Sequence, residues 1–160
     1  IVSILLAVLF SSSDAVLAQS QKFSVEETEF LVFLFDAHGN EVVTHSNNVP
    51  LIPNRACYGW RIQLAGVDGL IKFREVSTLP EEPNFWGGEI NEYSPNAISK
   101  DRHTSVTEKF SILKNGWISN SWCVAEGDPE GKYSMDVYIL GEFIKRFNFN
   151  VIKVSRSPDN

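Results

Sequence analysis

The stretch WISNSWCVAEGDPEGKYSMDVYILGEFIKRFNFNV, residues 117–151, decides the fold of this chain. Within it, residues 133–139 and again residues 147–151 place an apolar side chain at every second position. A period of two is typical of a strand with one buried face. Residues 140–142 separate the two runs at a length that suits a tight hairpin. With a further strand that begins at Trp117, this stretch predicts three consecutive strands.

The turn that precedes the second of these strands has its own chemistry. In residues 128–131, DPEG, the proline presets φ and the glycine accepts a positive φ. Tyr133 follows the turn directly, which is where immunoglobulin-like sandwiches place a corner tyrosine whose hydroxyl bonds nearby backbone. The last third of the chain is therefore predicted to be the closing hairpin of a β-sandwich, with Tyr133 in a structural role.

The remaining segments have the same strand character. One of them, residues 57–64, alternates well and carries Trp60 in the kind of place that an immunoglobulin core tryptophan occupies. Lys114-Asn115-Gly116 has Asn-Gly hairpin chemistry. The other predicted strands are residues 29–35, 41–44, 70–77 and 104–112. About seven to eight short antiparallel strands without a helical period predict an all-β, immunoglobulin-like β-sandwich.

The N-terminal residues have the pattern of a targeting segment. Residues 1–10 are almost wholly apolar but too short to span a bilayer, and residues 16–18 offer a small-residue cleavage site. We therefore expect a signal peptide over residues 1–18, a sandwich domain over 19–154 and a disordered tail over 155–160; the alternative is a buried N-terminal helix. Since no cysteine lies near the cleavage site, no membrane anchor is expected, and the predicted location is periplasmic or secreted.

The expected export affects the predicted oxidation state of the chain's two cysteines, Cys57 and Cys123. In an oxidising compartment an even pair is most simply one disulfide. Closing a loop of that length would stabilise the fold by about 4 kcal/mol in the chain-entropy model. The alternative is a pair of separate buried thiols that act as small hydrophobes.

The net charge and the absence of known motifs disfavour several classes of partner and activity. The net charge of −6 and the pI of about 5.0 disfavour a nucleic-acid partner and an anionic lipid surface. His38, His45 and His103 have no zinc-ligand spacing, and the chain has neither a G-x-S-x-G elbow nor a glycine-rich phosphate loop before a helix. We therefore expect no enzymatic activity, no metal and no cofactor.

Residues 78–99 break all periodicity and include the aromatic residues Phe85, Trp86 and Tyr93. A loop of this length in a compact domain is either functional or mobile, and exposed rings stack on sugars or anchor protein interfaces. The alternative is that Trp86 folds back and caps one edge of the sandwich. Trp117 and Trp122 differ in strand parity, so without a bulge they cannot both face the core.

Three segments resemble a family of secreted bacterial proteins that have one immunoglobulin-like domain and no established activity. Residues 49–60, VPLIPNRACYGW, are similar to the family's lead into a core strand, and residues 64–80 are similar to the hairpin that follows. Residues 127–133 through 147–151 resemble its terminal motif of turn, glycine, aromatic residue and two strands. The resemblance implies the sandwich fold and the exported location, and no activity.

The preferred functional prediction is an exported, non-catalytic interaction module. It would bind a protein partner in the cell envelope or outside the cell, through a sandwich edge or through the 78–99 loop. The alternative is a small carbohydrate-binding module that uses Trp86 and Tyr93, with a glycan as its partner.

Overall fold

Alternating side chains of two neighbouring strands, Gly131–Ile139 and Glu142–Ile152, line one wall of the core. The computed structural model describes residues 22–84, 86 and 96–154. In the first of the two strands the buried residues are Tyr133, Met135, Val137 and Ile139, and the residues between them remain partly exposed. The alternation of apolar residues in the sequence therefore corresponds to alternation of buried and exposed side chains, as predicted, because successive side chains of a strand point to opposite faces.

The described residues form ten strands, two more than the upper end of the predicted range. The two additional strands have three residues each, which is too short for a period to be visible in the sequence. In chain order the strands are β1 (Ser24–Phe35), β2 (Glu41–Thr44), β3 (Asn48–Pro50), β4 (Ala56–Ala65), β5 (Leu70–Thr78), β6 (Asn96–Ile98), β7 (Thr104–Ile112), β8 (Trp117–Cys123), β9 (Gly131–Ile139) and β10 (Glu142–Ile152).

These strands form two sheets that pack face to face. The four-stranded sheet has the order β2-β1-β4-β8, and the six-stranded sheet has the order β3-β10-β9-β5-β7-β6. Every pairing is antiparallel except that of β3 with β10, which is parallel. The predicted all-β sandwich is confirmed. The single parallel pair is a departure, since hairpin chemistry cannot signal a pairing between residues 48–50 and 150–152.

Two tight turns share one backbone conformation, which Asn115, Gly116 and Gly141 favour and which Leu140 adopts despite its Cβ. Asn115 and Gly116 both have positive φ, 53° and 81°, and Lys114 and Trp117 pair across them. Leu140 and Gly141 have φ of 50° and 86° between β9 and β10. Positive φ at both central residues is the mark of a type I′ hairpin turn. The Asn-Gly turn and the terminal hairpin are thus as predicted.

The core between the sheets is rich in aromatic side chains. Trp60 is 1% exposed and meets Phe73 of the opposite sheet edge to face, with ring centroids 5.3 Å apart. Phe149 of β10 stacks on Phe30 of β1, 4.7 Å away, and lies 4.8 Å from Tyr58 of β4. These contacts join the two sheets, because each pair takes one ring from each sheet.

The tryptophans of β8 divide between the two faces of their sheet. Trp122 packs against the core, whereas the ring of Trp117 lies under the guanidinium of Arg61, 4.5 Å from it. The predicted difference in parity is confirmed, and Trp117 is the tryptophan that lies outside the core.

The predicted signal peptide, residues 1–18, and the predicted tail, residues 155–160, lie outside the described residues. Among the residues that are described, no helix has both the length and the apolar content needed to cross a membrane.

Candidate functional site

The aromatic residues of the 78–99 loop are only partly described. Trp86 packs against the core while remaining partly exposed, and its indole N–H donates a hydrogen bond to the backbone oxygen of Arg102, 3.0 Å away. Phe85 and Tyr93 lie outside the described residues. Trp86 therefore ties the loop to the segment that leads into β7. Its part in binding a partner stays a prediction.

Two residues predicted to be structural lie in the core. Trp60 belongs to β4 and faces the six-stranded sheet. Tyr133 is at the start of β9, and its hydroxyl donates to the backbone oxygen of Pro129 at 2.7 Å. That bond across four residues is the geometry of a tyrosine corner. Burial raises the pKa of Tyr133 well above its usual value, so the phenol stays protonated and keeps donating.

Sequence reasoning missed Glu75, a carboxylate buried between the two sheets. It is 0% exposed, and each of its oxygens accepts two hydrogen bonds. Trp60 Nε1 and Asn120 Nδ2 donate to one oxygen at 2.5 and 2.9 Å, and Trp122 Nε1 and Ser77 Oγ donate to the other at 2.6 and 3.0 Å. The signal was available in β5, where Glu75 has the same strand parity as the buried Ile71 and Phe73.

The predicted disulfide between Cys57 and Cys123 is present. It joins directly paired residues of β4 and β8, whose Cα atoms are 3.8 Å apart. The bridge thus links neighbouring strands of one sheet, whereas the antibody-domain disulfide crosses between sheets. Cys57 is buried and Cys123 is exposed.

Most edges of the two sheets carry features that block further strand pairing. The edge strands β2, β3 and β6 have only three or four residues each. Residues 24–31 of β1 and 142–149 of β10 have no second partner strand in the described part of the chain, but each stretch contains a bulge and several charges. Residues 108–112 of β7 also pair only with β5 there, and that stretch begins with the charged residues Glu108 and Lys109. Short strands, bulges and charged side chains are the usual means of protecting an edge.

Strand β8 is the exception. It ends the four-stranded sheet, has seven residues and pairs with β4 from Trp117 to Cys123 without a register shift. The segment WISNSWC contains no charged residue and no proline. Within the described residues, no strand pairs with its outer side. A long, regular, uncharged edge is a template for pairing with another extended segment.

The backbone groups that face outward along β8 follow from its hydrogen-bond pattern. Leu64 N donates to Gly116 O and Val124 N donates to Ala56 O, each at 2.8 Å, so even-numbered residues from 116 to 124 bond to β4. Antiparallel pairs alternate between bonded and non-bonded. The N–H and C=O groups of Ser119, Ser121 and Cys123 therefore point away from β4, toward the open side.

A cleft of about 340 Å³ lies beside the first half of this edge. The cleft is lined by two cationic, two hydroxyl-bearing and two large apolar side chains, which belong to β4, β7, β8 and the turn before β8. Its lining residues are Arg61, Ser111, Ile112, Lys114, Trp117 and Ser119. A larger groove of about 740 Å³ lies between β1 and β10, and charged residues such as Glu27, Glu29, Lys145 and Arg146 line it.

Glu29 holds the position of Arg61. The Nε–H of Arg61 donates to a carboxylate oxygen of Glu29, and His45 Nε2 lies 3.0 Å from the other oxygen. These hydrogen bonds, to Arg61 first and then to His45, lower the pKa of Glu29 below its usual value. The carboxylate therefore stays charged and keeps the guanidinium above Trp117.

No metal site is found in the described residues, because no three of their His, Cys, Asp or Glu side chains lie close enough together to hold an ion. In the same part of the chain, every buried side-chain nitrogen and oxygen has a hydrogen-bond partner.

Comparison with known proteins gives a fold and a family. No curated protein matches the chain. Among solved structures, an immunoglobulin-like protein (PA1606) from Pseudomonas aeruginosa is similar, with 15% sequence identity and a TM-score of 0.53 over 83% of this chain and 98% of that chain. At this identity the likeness shows a common fold. The family described as the PM0630 beta sandwich domain matches residues 28–152. Because that match spans both sheets from β1 to β10, the chain belongs to the PM0630 beta sandwich domain family.

Proposed function

We propose that this protein is an exported, non-catalytic interaction module, and that it binds an extended segment of a protein partner along β8. The observation that carries the proposal is the free side of β8, with the outward backbone groups of Ser119, Ser121 and Cys123. A strand added there would receive three donors and three acceptors without any change in the β4–β8 ladder. Main-chain hydrogen bonds of this kind supply the affinity in β-strand addition.

The other parts of the proposal have separate support. The apolar run of residues 1–10 and the disulfide between Cys57 and Cys123 both favour an oxidising compartment outside the cytoplasm. The buried carboxylate of Glu75 accepts four hydrogen bonds from the protein itself, which favours a structural role over a catalytic one. The carbohydrate-binding alternative has less support from Trp86, because that ring packs partly against the core.

The proposal is tested by removing one outward donor from β8. Ser121→Pro deletes an N–H that faces the open side, and edge positions of this kind tolerate proline. We expect the purified wild-type protein to retain a specific protein from the cell-envelope fraction, and Ser121→Pro to lose it. The matched control Ser121→Ala removes the same hydroxyl but keeps the N–H, so it should retain the protein.

Two further measurements make the outcome decisive. Denaturant unfolding should place Ser121→Pro within about 1 kcal/mol of Ser121→Ala, since neither substitution removes a hydrogen bond to β4. If proline nevertheless prevents folding, a benzophenone amino acid at Ser119 should crosslink the partner under light, whereas the same group at Lys132 on β9 should not. Retention of the partner by a folded Ser121→Pro protein, or crosslinking equal at both positions, would overturn binding along β8.

A further inference from the structure

We infer that the segment accepted by β8 is acidic, and that one of its carboxylates lies in the cleft between Arg61 and Lys114. This inference rests on the proposed function and adds the chemistry of the partner. Its basis is the charge of the surface beside β8, the place of Arg61 in the register of the sheet and the small size of Ser119.

The segment that contains β8 and the lining of the cleft carry only positive charges, opposite in sign to the net charge of the whole chain, and Glu29 of β1 pairs with Arg61 from outside the cleft lining. The protein has 20 acidic and 14 basic side chains, yet residues 109–125 contain two lysines, Lys109 and Lys114, and no carboxylate. The cleft has Arg61 and Lys114 among its lining residues and no acid. Complementary charge steers association and fixes register, so this surface favours a negatively charged segment.

The register of the sheet directs a partner side chain toward these cations. Arg61 of β4 pairs with Ser119 of β8, and Ser119 is also one of the residues whose backbone faces the open side. Side chains of directly paired residues point to the same face of a sheet. A partner residue opposite Ser119 would therefore direct its side chain to the outer face, where Arg61 and Trp117 lie. Because Ser119 is small, it leaves open the space between the partner's side chain and Arg61.

Arg61 has donors left for such a ligand. A guanidinium has five N–H donors in a planar fork. Within the described residues, the Arg61 side chain makes one hydrogen bond, which its Nε–H donates to Glu29, and the side chain is 43% exposed. The terminal N–H groups can therefore donate to a carboxylate, and such charge-assisted bonds are stronger than neutral ones.

Exposed apolar side chains continue from the cleft onto the outer face of the six-stranded sheet. Ile112 lines the cleft and is 64% exposed, and its neighbours Leu70 and Phe110 are 61% and 64% exposed. Leu70 pairs directly with Ile112 across β5 and β7. The segment that fits this surface thus combines a carboxylate with apolar side chains.

The test uses displayed peptides as the probe. Random twelve-residue peptides are selected on the purified protein, and the tightest binder is synthesised together with a version in which each Asp and Glu is replaced by Asn and Gln. We expect Asp or Glu to be enriched, and the amide version to bind about tenfold more weakly. Arg61→Gln and Lys114→Gln should each weaken the acidic peptide but leave the amide version unchanged.

The matched control is Lys132→Gln, which removes an exposed cation of β9 that does not line the cleft. This variant should bind the acidic peptide as tightly as the wild-type protein. If peptide binding requires the N–H of Ser121 but is unaffected by amidation of the peptide's Asp and Glu residues, this inference is wrong and the proposed function stands. The same conclusion follows if binding is unaffected by Arg61→Gln and Lys114→Gln. Peptides that bind Ser121→Pro unchanged, or a selection that enriches none, would overturn the proposed function and the inference with it.

Discussion

Glu75 is an acidic residue in the middle of an aromatic core, and its surroundings explain why it is tolerated there. Burying a carboxylate costs several kcal/mol unless its oxygens are hydrogen-bonded. Trp60 and Trp122 donate their indole N–H groups to Glu75, as does the side-chain amide of Asn120. These donors belong to β4 and β8, so the carboxylate of β5 links the two sheets.

Replacement of Glu75 by glutamine should therefore destabilise the fold. Gln has nearly the same shape, but only one oxygen, so two of the four donors would face an NH₂ group. We expect the free energy of unfolding to fall by about 2–4 kcal/mol, measured by denaturant titration. The control Glu108→Gln removes an exposed carboxylate from β7 and should cost less than about 1 kcal/mol. Equal losses in the two variants would contradict the structural role of Glu75.

At Gly59 the backbones of β4 and β8 lie too close together to leave room for a side chain. A Cβ atom at this position would lie 2.8 Å from the Cα of Ser121 and would also overlap the carbonyl oxygen of Asn120. Both are backbone atoms of β8, which cannot move aside as the end of a flexible side chain can. Glycine at position 59 thus sets the position of the edge that we propose to bind the partner.

The variant Gly59→Ala should push β8 away from β4. We expect a loss of about 1–3 kcal/mol in the free energy of unfolding, because a methyl group is forced into a filled space. The expected result also includes chemical-shift changes at the amides of Asn120 and Ser121 in NMR spectra. Ser121→Ala, which changes the facing side chain without adding a backbone contact, serves as the control and should leave stability within about 0.5 kcal/mol. A Gly59→Ala protein as stable as the control would refute the close approach.

In the molecule as a whole, the disulfide ties together strands that are far apart in the chain. Cys57 and Cys123 are separated by 66 residues, and the enclosed segment contains β5, β6 and β7 of the opposite sheet. A crosslink that closes a long loop reduces the conformational freedom of the unfolded chain more than one that closes a short loop.

Replacement of both Cys57 and Cys123 by alanine should lower the free energy of unfolding by about 4 kcal/mol, following the chain-entropy relation for a loop of this length. The measurement is denaturant unfolding of the variant beside the oxidised and the reduced wild-type protein. The reduced wild-type protein is the control and should unfold near the variant. A variant that unfolds together with the oxidised protein would show that the bridge contributes little.

Local chemistry in the sequence was enough to predict much of this architecture. Turn residues act through φ alone, so Asn115-Gly116 could be recognised without knowledge of the fold. The turn predicted at residues 128–131 lies instead at residues 125–128, where Asp128 N donates to Ala125 O, and Gly131 already belongs to β9. Alternation reports burial, so the buried faces of β4 and β9 could also be assigned from the sequence. The disulfide was predicted from the expected oxidising compartment and the even number of cysteines.

The pairing of distant segments was decided only by the tertiary structure. The parallel contact between β3 and β10 joins residues about a hundred positions apart, and three residues are too few to carry a period. The hydrogen-bond donors to Glu75 include Trp60 of β4 and Asn120 of β8, and the sequence around Glu75 does not indicate that these strands lie opposite it. The same holds for the open side of β8: whether a strand is central or at an edge depends on which segments lie beside it. Sequence periodicity records which side chains are buried, while the order of strands in a sheet depends on long-range contacts that no local pattern encodes.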